Sequence, residues 1–243
     1  MSEAAGELRV PDHARVDQPA DLPDVLRALD IGVRRPVLVS VGGAGGMTPE
    51  HLAVTAEILE RIIPALDLWQ AAVVDGGTDS GIMRVMGQSR AAAGGHFPLV
   101  GVAAEGTVIL PGRAPAAGAA PLESSHTHVV LVPGDAWGDE SPWLSRVATA
   151  IADGRPSLTL VINGGQVTYD DIDHSLQAGR PVVVVAGTGR TADAIAASAR
   201  GDTKDSRAEM VAADPGTRIV PPDDPQVLYE AIEAILAPRT PRR

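Results

Sequence analysis

Residues 72–87 read A-V-V-D-G-G-T-D-S-G-I-M-R-V-M-G. Val73 and Val74 close an apolar run, and Asp75, Gly76 and Gly77 break it. Ile82, Met83 and Met86 then recur at helical spacing, which predicts a helix starting near Asp79 or Ser80. The stretch reads as a buried strand, a glycine turn and the first turns of a helix. A turn of that kind presents backbone N–H groups with a partial positive charge, a setting that suits an anion and most often a phosphate. Gly76, Gly77, Thr78, Ser80 and Gly81 are the candidate contacts. Arg84, four residues after Ser80 and on the same helix face, is the candidate counter-charge. Taken alone, a plain strand-to-helix turn with a solvated arginine explains this segment equally well.

The device recurs on both sides of this stretch. Val37 to Val41 is a continuous apolar run, the mark of a strand covered on both faces. Gly42, Gly43, Gly45 and Gly46 follow it, with Thr48 as N-cap and Pro49 as first residue of a helix expected to run to about Pro64. These glycines spell neither G-x-G-x-x-G nor a P-loop. The G-x-S-x-G elbow also fails, because Asp79 stands two residues after Gly77. Further on, the strand entered by L-E-S-S-H-T-H-V-V-L-V (residues 122–132) leads into P-G-D-A-W-G-D-E (133–140). Gly134, Trp137, Gly138 and Glu140 are the candidates there. The strand at 181–185 leads into Gly187-Thr188-Gly189-Arg190, with Thr191 capping the next helix.

Between these lie a strand at 99–103, a Pro-, Ala- and Gly-rich loop at 105–125, a helix from Ser141, a strand at 158–162 followed by Asn163-Gly164-Gly165, and a helix opening at Thr168. A short helix capped by Asp21 precedes them, after an edge strand at Arg15-Val16. Residues 201–216 read as a polar surface loop, followed by a short strand at 217–220 and a terminal helix from Asp224-Pro225. Alternating strands and helices predict an α/β fold, a Rossmann-like, doubly wound, mostly parallel sheet with helices on both faces. Ligands of such sheets bind beyond the carboxyl ends of the strands, where Gly42, Gly76, Gly134 and Gly187 all lie. Four glycine turns, two of them carrying an arginine, point to an anionic ligand of nucleotide size. The expected organisation is an unordered segment at 1–13, one domain at 14–237 and an unordered basic tail at 238–243.

Composition limits the alternatives. The 243 residues are 44% hydrophobic and only 2% aromatic, so aliphatic side chains fill the core. The net charge of −11 disfavours nucleic acid as a partner. The lack of cysteine excludes disulfides, thiolate zinc and thiol catalysis. No apolar run approaches the roughly 18 residues of a membrane span, and the acidic N-terminus has no signal-peptide pattern. The expectation is a cytoplasmic protein with no membrane partner, no metal and no cofactor, and with room for a homo-oligomer. His126 and His128, two apart on a strand, share a face but lack a third metal ligand. Hydrogen bonds that fix the strand's entry are the favoured role.

Four stretches together resemble a known family: V-S-V-G-G-A (39–44), D-G-G-T-D-S-G-I-M-R-V-M-G (75–87), S-S-H-T-H-V-V-L-V (124–132) and V-V-V-V-A-G-T-G-R-T-A-D-A-I-A (182–196). They are similar, in the same order and over about residues 14–237, to prokaryotic relatives of the cytosolic N-terminal (LSDAT) domain of melastatin-type TRP channels. That domain belongs to the SLOG superfamily, with the Smf proteins and the LOG enzymes. The resemblance implies a sensor domain for a nucleotide-derived ligand such as ADP-ribose. Ser80, Arg84, Trp137, Gly138, Glu140 and Arg190 match the family's ligand contacts. A further family arginine falls on Leu144, with Arg146 two residues on. The enzymatic branch carries P-G-G-x-G-T-x-x-E. Asp135 and Asp139 replace its second Gly and its Thr, and Glu140 sits one residue early. An N-glycosidic hydrolase of the LOG type, with Glu140 as its catalytic carboxylate, is therefore the second reading.

Overall fold

The structure is a computed structural model and describes residues 10–43, 45–202, 205–221 and 223–238. Among the described residues, ten strands and eight α-helices follow in chain order: β1 (Asp12–Arg15), α1 (Leu22–Ala28), β2 (Val37–Gly42), α2 (Pro49–Leu68), β3 (Ala72–Asp75), α3 (Gly81–Ala92), β4 (Leu99–Ala104), β5 (Val108–Ile109), β6 (Ala120–Pro121), β7 (His128–Val132), α4 (Ser141–Ala152), β8 (Ser157–Ile162), α5 (Gln166–Gln177), β9 (Val182–Val185), α6 (Arg190–Ala199), α7 (Ser206–Ala213), β10 (Thr217–Val220) and α8 (Pro225–Leu236). Eight strands form one all-parallel sheet in the order β1-β7-β4-β3-β2-β8-β9-β10. This is the doubly wound α/β arrangement that the alternating pattern predicts.

Both faces of the sheet are covered, and the strand sequences explain why. Val37, Val39 and Val41 pack with Leu22, Leu26, Val147, Ile151, Ile172, Ile195 and Val211, which places α1 and α4 to α7 on one face. Leu38, Leu158 and Leu160 pack with Ile58, Leu59, Ile62, Ile82, Met86, Leu228 and Ile232, which places α2, α3 and α8 on the other. Since successive side chains alternate between faces, a strand buried on both sides is largely apolar throughout, as V-V-V-V of β9 is, with Ser40 of β2 and Thr159 of β8 as buried polar exceptions.

The chain leaves β2 through α2 toward β3, then returns on the other side of β2 with β8 and continues through α5 to β9. Neighbouring strands β2 and β8 thus send their connections in opposite directions. A crevice opens beyond their carboxyl ends, as it does in open α/β sheets generally.

Several elements differ from the sequence expectation. The second helix does not stop at Pro64 but carries it inside and runs to Leu68. Buried Ala65, Leu66 and Trp69 hold that last stretch in the core, offsetting the missing N–H. Residues 201–216 are not simply loop. Asp205 caps α7 by accepting from the N–H groups of Arg207 and Ala208, and Ala208 and Val211 are buried. The 105–125 stretch contains the parallel pair β5–β6, and Val108, Leu110 and Leu122 pack with Val129 and Leu131 in a third apolar cluster. Strand β1 begins at Asp12, inside the segment expected to be unordered; residues 1–9 and 239–243 of the two expected unordered ends lie outside the described residues. No helix among the described residues is long and apolar enough to cross a membrane.

Candidate functional site

The crevice holds a cavity of about 290 Å³. Its walls come from five loops at the carboxyl ends of the sheet and from the starts of α4 and α5. Ser40, Val41 and Gly42 line it from the end of β2 and Gly45 from the loop beyond, Gly76 and Thr78 after β3, and Ala103 and Thr107 at and beyond the end of β4. Trp137, Glu140 and Leu144 come from the β7–α4 connection and α4. Gly165, Gln166, Val167, Thr168 and Asp171 come from the β8–α5 connection and α5, and Arg190 from the start of α6.

Arg190 is the one Arg or Lys among the described residues that line this cavity. Its backbone is left-handed, with φ +52°, a conformation uncommon for a side-chain-bearing residue. That turn swings the guanidinium back over the crevice, where Nη1 donates to the Gly45 carbonyl at 2.8 Å. A Cβ placed on Gly165 would lie 2.9 Å from Arg190 Nη2, so the guanidinium bridges the loops after β2 and β8. Beside it, α5 starts at Gln166, and the Gly165 N–H is already taken by Thr168 Oγ1 at 3.0 Å. Helix start and guanidinium together give this end of the cavity positive character.

Asn163 fixes the loops that carry these groups. It is fully buried, its Nδ2 donates to the Thr188 carbonyl at 2.6 Å, and its Oδ1 accepts from the Gly164 N–H at 2.8 Å. Its own N–H donates to Thr188 Oγ1 at 2.8 Å. Gly187, Thr188 and Gly189 therefore do not line the cavity. Thr188 is buried against Asn163, the Gly187 N–H is held by Asp193 at 2.5 Å, and Gly189 packs against Asn163 and His51. In this motif only the arginine reaches the crevice.

The other end of the cavity is acidic in composition but held toward neutrality. Glu140 precedes α4, with Oε2 accepting from the Gly138 N–H at 2.9 Å, and burial pushes its carboxyl above the usual range. Asp171 lies further along α5. Burial pushes it up to about 7, helped by the charges of Glu140 and Asp170 and opposed by the neighbouring Ser141 hydroxyl. Trp137 stands half-exposed at the mouth. Gly134 and Gly138 shape the loop rather than the wall. The loop is pinned by Asp139, whose Oδ2 accepts from the N–H groups of Asp135 and Ala136 at 3.0 Å each. Leu144 contributes an apolar wall, while Arg146 is exposed and stacks 5.4 Å from the Trp143 ring, off the cavity.

The conspicuous 75–87 stretch is only partly at this site. Gly76 and Thr78 line the cavity, but Ser80, Gly81 and Arg84 line a neighbouring groove with Gly46, Met47 and Gln88. Arg84 is engaged by Asp79, from Nε to Oδ1 at 2.6 Å and from Nη2 to the backbone carbonyl at 2.5 Å. Gly77 lies on neither wall. It has φ +68°, and a Cβ there would meet the Gly101 Cα of β4 at 2.8 Å. Its missing side chain is accounted for by strand packing. At Gly43 the space is taken by a side chain instead: a Cβ there would lie 2.4 Å from Asn163 Oδ1.

Beneath this turn lies a buried charge cluster. Strand β7 begins at His128, so His126 sits in the preceding loop rather than sharing a strand face with it. Its two ring nitrogens lie 2.8 Å from Asp75 Oδ1 and 2.8 Å from Glu123 Oε2, which leaves neither for a metal. Burial opposes a charged ring, but the two carboxylates outweigh it and raise His126 to about 9. Asp75 Oδ1 also accepts from the Gly77 N–H at 2.8 Å, which ties the glycine turn to the histidine. Thr127 continues the clamp by bonding both the N–H and the carbonyl of Leu99. This is the strand-entry role expected of the histidine pair.

The sequence candidates Gly42, Gly45, Gly76, Thr78, Trp137, Glu140 and Arg190 thus converge on one cavity. Sequence reasoning missed Gly165 to Thr168 and Asp171. The signal available was Asn163-Gly164-Gly165, a further glycine turn at a strand end. Comparison with protein families matches the model described as "SLOG in TRPM, prokaryote" over residues 35–229. Among solved structures, the molybdenum cofactor binding protein from the phototrophic bacterium Rippkaea orientalis aligns with a TM-score of 0.53 and 13% identity, over 83% of this chain and 97% of that one. At that identity the likeness is one of fold.

Proposed function

Because the chain belongs to the prokaryotic SLOG-in-TRPM family, we propose that it is a cytoplasmic sensor domain that binds a nucleotide-derived ligand of the ADP-ribose type. The observation that carries this reading is Arg190, lying across the loops after β2 and β8 beside the start of α5. A guanidinium grips a phosphate through two donors in a fixed plane, and a helix start adds N–H groups of the same polarity. Trp137 at the mouth offers a flat face for a base. A cavity of about 290 Å³ sits at the lower end of the usual ligand-pocket range of roughly 300–1,000 Å³. It holds part of such a ligand, with the remainder outside the mouth.

Titration calorimetry and thermal shift with ADP-ribose, AMP and NAD test this directly. The expected result is saturable binding with a raised melting temperature. No shift and no heat with any of the three sinks the reading.

One observation favours the second reading, an N-glycosidic hydrolase: two carboxyls, Glu140 and Asp171, share the cavity and are both shifted upward, as acid–base groups often are. The enzymatic motif is nevertheless broken at Asp135, Asp139 and the position of Glu140, and no turnover of AMP or ADP-ribose is expected. Release of free base that disappears in Glu140→Gln would make the protein an enzyme.

A further inference from the structure

A few buried polar side-chain atoms have no hydrogen-bond partner among the described residues, and some of them lie at the cavity. Two residues that line the cavity carry a buried polar atom with no hydrogen-bond partner among the described residues: Ser40 Oγ and Asp171 Oδ1. Ser141 Oγ, next in sequence to Glu140, is another. Ser40 alternates along β2 with Val39 and Val41, so it belongs to the opposite face of the sheet from α4 and α5. Asp171 and Ser141 lie on those two helices, which pack against each other. A carboxyl that is more than nine-tenths buried, with Oδ1 unpartnered and the Ser141 hydroxyl as its side-chain neighbour, is costly to keep. Its location in a cavity wall gives that cost a purpose.

Asp171 is five residues beyond Gln166, roughly 7–8 Å along the helix from the end that Arg190 covers. The cavity therefore has a cationic end and a carboxyl end. We propose that Asp171, with Glu140 beside it, forms a subsite for the vicinal hydroxyls of a sugar. This rests on the reading of the cavity as a nucleotide site and assigns its inner half. A hydroxyl both donates and accepts, and a carboxyl near neutrality does the same, so the two match without a buried charge having to be neutralised. A ligand ammonium would instead require ionised carboxylates, which burial at Asp171 opposes. A base ring fits this end poorly, because the aromatic surface stands at the mouth in Trp137. The order along the site is then base at the mouth, phosphate under Arg190 and ribose hydroxyls toward Asp171.

The test uses the full chain and compares AMP with 2′,3′-dideoxy-AMP by calorimetry, in wild type, Asp171→Ala and Asp171→Asn. Wild type is expected to bind AMP about tenfold more tightly than the dideoxy compound. Asp171→Ala removes that discrimination while leaving dideoxy-AMP affinity unchanged, and Asp171→Asn restores part of it. The ligand-free melting temperature of Asp171→Asn stays level or rises, because the amide removes a buried ionisable group and can keep the contact with Ser141. Equal wild-type affinity for the two nucleotides overturns the sugar subsite and leaves the nucleotide site standing. Discrimination that survives Asp171→Ala, or an Asp171→Asn protein that melts well below wild type, makes Asp171 a structural residue and overturns the proposal. Failure of wild type to bind either nucleotide overturns this subsite together with the nucleotide reading.

Discussion

The turn after β3 and the pair of loops after β8 and β9 are built from similar residues and are used differently. Both follow a fully buried parallel strand, both are rich in glycine, and both are followed by a helix. At the first, the polar groups face inward. Asp75 holds the Gly77 N–H and His126, Glu123 holds His126 from the other side, and Arg84 is occupied by Asp79. At the second, Asn163 and Thr188 satisfy the backbone internally, which frees Arg190 and the start of α5 to face the crevice. At Gly77 the glycine allows close approach of another strand, whereas Gly45 has open space around its missing Cβ and lines the cavity.

The comparison breaks most visibly at His126. Replacing it with alanine leaves Asp75 and Glu123 buried without their shared cation, and loss of one partner from a buried ionic group costs about 3–5 kcal/mol. Urea denaturation should show this as a lower midpoint. The pH dependence has a definite sign. His126 is raised from 6.5 to about 9, so the folded state holds an extra proton between those values. Its stabilisation is complete below about pH 6.5 and is lost as pH rises through about 9. The wild-type denaturation midpoint should fall over that window, and His126→Gln should fall less.

Gly77→Ala comes next. A side chain there combines a positive φ with contact against the Gly101 backbone, an overpacking that costs roughly 1–3 kcal/mol. Because Gly77 is off the cavity wall, ligand affinity per folded molecule should stay at the wild-type value. A variant that folds as well as wild type but no longer binds would return the turn after β3 to the site.

Asn163→Ala sharpens the contrast, since it belongs to the second region and joins its two loops. Removing a buried side chain that makes two hydrogen bonds should cost about 1–3 kcal/mol. Here binding and stability should fall together, because the Arg190 loop loses its anchor. Unchanged affinity would mean that Arg190 is positioned independently of Asn163.

The fold was legible because strands buried on both faces are apolar at nearly every position. Val182 to Val185 admits little else, and the terminal helix announces itself through Asp224-Pro225, with Asp224 capping α8. Helix α7 was not legible: S-R-A-E-M-V-A-A carries a single β-branched side chain, and its burial depends on α6 and β10, distant choices that no window of sequence contains. At the site, Arg190 was legible from its glycine turn. Asp171 was not. In T-Y-D-D-I-D (168–173) it looks like one of three solvated acids, and only the packing of α5 on α4 buries it while Asp170 and Asp173 stay outside to pair with Arg207. At Gly77 and Arg84 the same signals lead away from the cavity: Gly77 packs on Gly101, and Arg84 pairs with Asp79 beside a separate groove.

The central claim is that the anion sits under Arg190 and not at the turn after β3. Calorimetric titration of ADP-ribose into wild type, Arg190→Ala and Arg84→Ala at one pH and salt concentration tests it most directly. Arg190→Ala should lose about 1.5–3 kcal/mol of binding, the worth of hydrogen bonds to a charged group, with its ligand-free melt unchanged. Arg84→Ala, which breaks only an exposed pair with Asp79, should bind within about threefold of wild type. An Arg190→Ala protein that binds normally while Arg84→Ala does not would contradict the account and move the phosphate to the groove beside α3.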